Sequence, residues 1–96
     1  QANEDSNRQL RKLEGEIAAK GRQAAEAANL TIAAKSNLDL FQQQFDAGQR
    51  QVLDVVNVYE TFARQQAQEV TLKYETIRLK LDMAELLGIL ADGNAI

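Results

Sequence analysis

Phe45-Asp46-Ala47-Gly48-Gln49-Arg50-Gln51-Val52-Leu53-Asp54 separates two long, proline-free, helix-patterned runs of nearly equal length. Gly48 is suited to the left-handed backbone conformation that ends a helix and reverses the chain. The stretch therefore predicts an all-α fold: a long antiparallel two-helix coiled-coil hairpin with this decapeptide at its tip. The expected layout is one domain over 1–96, with a helix over about 6–46, a turn over about 47–49, a helix over about 50–90 and an irregular tail over 91–96. Ser6 and Gln9 offer a capping box at the start of the first helix, and Gly93 offers its counterpart, an end for the second.

On both sides of the turn, apolar residues recur at alternating intervals of three and four, the beat of coiled-coil packing. In the first run the stripe is Leu10, Leu13, Ile17, Lys20, Ala24, Ala27, Thr31, Ala34, Leu38, Phe41 and Phe45. In the second it is Leu53, Val56, Glu60, Ala63, Ala67, Val70, Tyr74, Ile77, Leu81, Ala84 and Gly88. Folded about Gly48, the two stripes pair Leu10 with Gly88, Ile17 with Leu81, Ala24 with Tyr74, Ala27 with Val70 and Phe41 with Val56. Large side chains meet small ones at several levels, as close packing asks. Lys20 against Ile77 and Glu60 against Leu38 break the pattern, and long side chains there are expected to lie along the seam with their heads in water. A helix of about 40 residues would be roughly 60 Å long, so the hairpin should be a rod.

A second apolar set lies off this expected seam: Val52, Val55, Tyr59, Phe62, Leu72, Leu79, Met83, Leu86 and Leu90. The first run adds a small-residue face, Ala18, Gly21, Ala25, Ala28 and Ile32. Helices with two apolar faces need two neighbours, which predicts lateral packing against further hairpins in a bundle or a cylinder.

The composition fits such an assembly. The 96 residues are 45% hydrophobic but only 5% aromatic, with no Trp, Pro, Cys or His. Eleven basic and fourteen acidic residues, interspersed, give a net charge of −3 and no nucleic-acid footprint. Without cysteine there is no disulfide or thiolate chemistry, and without histidine the commonest acid–base group and metal ligand is missing. No cofactor is expected. The carboxylates Glu14, Glu16, Asp39, Asp46, Glu69 and Glu75 are mixed with Lys and Arg along helix surfaces, with no nucleophile-and-base pair, metal-ligand spacing or phosphate cradle. The chain is not expected to be an enzyme. No apolar run is long enough to span a bilayer as a helix, and Gln1-Ala2-Asn3-Glu4-Asp5 does not read as a signal peptide.

From Phe45 onward the sequence resembles a known family. Phe45, two residues, then Gly48-x-Arg50-x-x-x-Asp54-Val55, a long helix with Tyr74, and Leu87-Gly88-Ile89-Leu90 are similar to the TolC family of bacterial outer-membrane efflux and secretion channels. The resemblance covers residues 38–90; upstream, only the Ala-rich heptads match. It implies a homotrimer whose protomers each carry two repeats of a helical hairpin flanked by outer-membrane barrel strands. The hairpins form a periplasmic α-helical tube, and this chain matches one of them, by its Gly48-Gln49-Arg50 form that of the C-terminal repeat. It further implies transport by efflux or type I secretion, a periplasmic adaptor (membrane fusion) protein as direct partner and an inner-membrane transporter as an indirect one. Phe45, Arg50, Asp54 and Asn57 would take the gating positions, with Arg50 in polar links between neighbouring hairpins and Asp54 in an acidic ring. Gly48, Gln49, Arg50, Val52 and Leu53 would meet the adaptor. Two positions depart from the family: Phe45 stands where others have Tyr, and Asn57 where some have a second acid. On the residues alone, Asp54 is equally a helix-dipole partner and Arg50 a solvated tip residue. A free-standing antiparallel coiled-coil interaction module fits the seam and turn as well.

Overall fold

The structure, a computed structural model, describes the backbone of residues 2–95 and the side-chain surroundings of residues 4–92. Helix α1 spans Ala2–Asp46 and helix α2 spans Val52–Ala95, packed antiparallel, and no strand occurs among the described residues. The two-helix hairpin is as expected, but its helices run further. Ser6 lies inside α1 and starts nothing, α2 begins at Val52, and residues 91–95 of the expected tail are helical through Gly93, while Ile96 lies outside the described residues. No proline is present to stop either helix, and one unfavourable Gly costs only about 1 kcal/mol, less than the surrounding turns contribute.

The molecule is a rod of 73 × 16 × 14 Å with a radius of gyration of 21.2 Å, where a compact chain of this length would have about 12–13 Å. Its accessible surface is 7110 Å², against about 5500 Å² for a compact monomer of this mass. Among the described residues, the fully buried apolar side chains are Ala27, Leu38 and Leu72. The core is one line of partly covered residues between two cylinders.

In α1, that line is the predicted stripe. Leu10, Leu13, Ile17, Lys20, Ala24, Ala27, Thr31, Ala34, Leu38 and Phe41 are buried or half-buried, and Phe45, at the tip, is exposed. In α2, the prediction fails. The covered positions are Val55, Val58, Phe62, Gln65, Glu69, Leu72, Thr76, Leu79, Met83, Leu86 and Leu90. The expected stripe faces solvent, with Leu53, Val56, Val70, Tyr74, Ile77 and Leu81 all exposed. The pairs Leu10–Gly88, Ile17–Leu81, Ala24–Tyr74, Ala27–Val70 and Phe41–Val56 are therefore not made. Heptad spacing is the same on both faces of α2 and cannot tell them apart. Side-chain volume does: the expected stripe includes Ala63, Ala67, Ala84 and Gly88, whereas the packed one brings in Phe62, Leu72, Leu79, Met83, Leu86 and Leu90. Each large side chain contributes up to about 1.5–3 kcal/mol on full burial, and Ala or Gly little.

The rotation also removes both mismatches. Glu60 turns to solvent and frees the level of Leu38, while Lys20 reaches across to form an ion pair with Glu75. Pairs on exposed surfaces such as Lys35–Asp39 (2.7 Å) and Arg78–Asp82 (3.9 Å) add little. Glu69 is a carboxylate at a seam position of α2, with the half-buried Glu75 and Asp82 on the same helix. Its side chain is 17% exposed and accepts from the Lys73 ammonium at 2.6 Å. Lys73, and after it the Thr31 hydroxyl of α1, hold the Glu69 carboxyl below the usual carboxylate range.

Two measurements check this seam. Urea unfolding at low protein concentration should show Leu72→Ala losing about 2–3 kcal/mol and Val70→Ala less than about 0.5 kcal/mol, since only the first empties packed volume; the reverse order would restore the expected face. Because folding depresses the Glu69 pKa, its contribution is complete above the unfolded-state carboxyl pKa of about 4.3 and is lost as pH falls through the lower folded value. Stability measured from pH 6 down to pH 3 should therefore fall more steeply for the native chain than for Glu69→Gln.

Candidate functional site: the hairpin tip

The tip is built by one helix ending and another starting within five residues. At the end of α1, the Gly48 N–H donates to the Phe45 carbonyl oxygen at 2.9 Å and the Gln49 N–H to that of Gln44 at 2.7 Å. These are the two bonds of a Schellman motif, with Gly48 in the left-handed position at φ 79°. A Cβ at Gly48 would meet no atom within 4 Å, so its requirement for glycine is conformational alone.

The start of α2 is closed by its own carboxylate. Gln51 precedes the helix, its carbonyl oxygen accepts from the Asp54 N–H at 3.1 Å, and its N–H donates back to Asp54 Oδ2 at 3.2 Å. This is the returning half of a capping box. Asp54 also lies in the first turn, where a negative charge favours the helix dipole. Its structural role is met within the hairpin, and one of its oxygens is committed to the cap.

Arg50 bends back over α1. Its Nε donates to Gln44 Oε1 at 2.8 Å, and its guanidinium carbon lies 4.2 Å from the centre of the Phe41 ring. The ring is half-buried but Arg50 itself is exposed, and a cation over a ring at an exposed site contributes about 0.5–1 kcal/mol, so the hold is light. Phe41 and Gln44 are therefore the neighbours of Arg50, a grouping the sequence pattern did not predict. The signal for them was present: a reversal at Gly48 brings a long residue two positions later back to the last turns of α1.

Of the remaining predicted tip residues, Gln49 and Asn57 are exposed, and Asn57 uses its backbone carbonyl to accept from the Thr61 hydroxyl at 3.2 Å. Val52 and Leu53 are 61% and 66% exposed. Phe45 joins neither Arg50 nor Asp54 by a hydrogen bond, and instead lines a groove of about 570 Å³ on one side of the hairpin. Leu38, Val52, Val55, Val56, Tyr59 and Phe62 also line this groove, together with the polar Lys35, Gln42 and Asp46. The gating candidates thus divide: Arg50 and Asp54 are engaged at the turn, Phe45 belongs to the groove, and Asn57 is exposed and lines no part of it.

Among the described residues no cluster of His, Cys, Asp and Glu could hold a metal ion, and no helix is long and apolar enough to cross a membrane. The chemistry on offer at the tip is one guanidinium, one capping carboxylate and an apolar groove. No protein-family model, curated protein or solved structure matches the chain.

The turn's demand for a positive φ gives a direct test. Gly48→Ala should cost about 1–2 kcal/mol, the strain of a Cβ in the left-handed region, and Gly48→Asn less, because its short amide tolerates that region. Thermal and urea unfolding would both register the order Gly, Asn, Ala.

Proposed function

We propose that this chain is a periplasmic hairpin of a TolC-like trimeric outer-membrane channel for efflux or type I secretion, a wall segment of its α-helical tube whose tip gates the passage and docks an adaptor protein. The observation that carries this reading is the tip itself, in which Gly48, Arg50 and Asp54 hold the reversal, the free guanidinium face and the capped carboxylate in one small space. The unpartnered apolar stripe of α2 supports it, since a wall segment needs neighbours on both sides and α1 supplies only one. The light hold on Arg50 supports it too. An exposed side chain kept by one hydrogen bond and one ring face can leave them for a neighbouring hairpin at small cost, and its planar fork suits a carboxylate or carbonyl acceptor.

On this reading, Asp54 contributes its charge at the tip while capping its own helix. Val52 and Leu53, exposed beside the turn, are the contact points for the adaptor.

The test is Arg50→Glu in the full-length channel, with conductance measured in a planar bilayer. Losing a link of about 1 kcal/mol should raise the open fraction about fivefold. Conductance equal to that of the native channel would remove the gating role of Arg50.

A further inference from the structure

The groove beside Phe45 has a floor set by the hairpin's own seam. Leu38, Val55 and Phe62 line it as covered residues of the two packed faces, and the exposed Phe45, Val56 and Tyr59 stand around them. Its shape is therefore fixed by the packing of α1 on α2. A volume of about 570 Å³ is that of a small-molecule site, whose usual make-up is a mostly apolar wall with a few polar groups.

The charge of the groove is one-sided. Lys35 and Asp46 both line it, about 16 Å apart along α1 at 1.5 Å per residue. The Lys35 ammonium is taken up by Asp39 at 2.7 Å. The Asp46 carboxylate has no ion pair or hydrogen bond among the described residues. Asp46 is also the last residue of α1, and the last turn of that helix carries no basic residue. The partial negative charge of the helix end thus adds to that of the side chain. Arg50 does not offset it inside the groove, because its guanidinium rests on Phe41 and Gln44, neither of which lines the groove. The positive start of α2, at the same end of the rod, is already met by the Asp54 carboxylate.

We propose that this groove is a binding site for a small organic cation, an ammonium carrying an aromatic or short aliphatic body. The ammonium lies against Asp46 and the carbonyl end of α1, with the rings of Phe45 and Tyr59 in the same groove to favour a cation further. The body runs away from the tip along Leu38, Val55 and Phe62. A neutral molecule with the same body would keep the apolar contact and lose the charge, and an anion would meet Asp46 with like charge. The site belongs to a single hairpin and does not rest on the channel reading, so the conductance of an Arg50 variant bears on it in neither direction.

Titration of the 96-residue chain with naphthylmethyl-trimethylammonium, followed by methyl NMR, should move the resonances of Leu38, Val55 and Val56 and leave those of Leu10 and Leu86, at the far end of the rod, in place. Naphthylmethanol, the neutral counterpart, should bind about threefold more weakly, and naphthylacetate more weakly still. Asp46→Asn should weaken binding of the cation by about three- to fivefold and leave that of the alcohol unchanged. Tyr59→Leu, which keeps an apolar side chain and removes the ring, should weaken the cation by about threefold. Both residues are exposed and outside the seam, so the helical circular dichroism spectrum of each variant should match the native one. A cation that binds no better than the alcohol, an affinity indifferent to Asp46→Asn or to Tyr59→Leu, or no movement of Val55 and Val56 at the solubility limit of the probe would each overturn the proposal.

Discussion

α2 carries apolar side chains on two faces, and a hairpin has one partner helix to cover them. That competition decides the rest of the structure. The face with Phe62, Leu72, Leu79, Met83, Leu86 and Leu90 holds α1, and everything on the other side of α2 is left in water. The margin between the faces is a matter of side-chain volume, since both are regular and both are long. Having won, the packed face still buries few of its residues completely, because two cylinders touch along a line and their flanks stay wet.

How much of this was legible in the sequence follows from the same competition. The α1 stripe could be read from Leu10 to Phe41, since α1 lines up its large residues Leu10, Leu13, Ile17, Leu38 and Phe41 on one face, while its off-stripe Leu30, Ile32 and Leu40 stay exposed and share no line. The turn could be read from Gly48 and the dipole partner from Asp54. The α2 face could not be read from spacing, which fits either solution. The clues against the wrong choice were chemical: Glu60 would have been placed against Leu38, and Ala63, Ala67 and Gly88 would have filled seam positions with almost nothing to bury. Helix ends were misplaced for a different reason. Ser6 has the right side chain for a cap, but nothing in residues 2–5 prevents a helix from continuing through them.

At the tip, the residues that close the turn also leave surface exposed. Asp54 closes α2 through the Gln51 N–H, and Arg50 rests on Phe41 and Gln44. These contacts satisfy the turn without using up its surface. The guanidinium keeps free donors, and Val52 and Leu53 remain uncovered. The groove beside Phe45 adds an apolar surface within reach of the same turn.

The Gly48 turn closes one end of the rod and leaves the other open, and this gives the molecule a direction in time as well as in space. Residues flanking the turn are near in sequence and meet at small entropic cost, whereas Leu10 and Leu90 can meet only after most of the chain is in place. Within the hairpin, folding should nucleate beside Gly48 and zip outward, and thermal fraying should run in reverse from the levels of Leu10 and Leu90 toward the tip. The segment that is last to melt is then the one that carries Arg50, Asp54 and the groove.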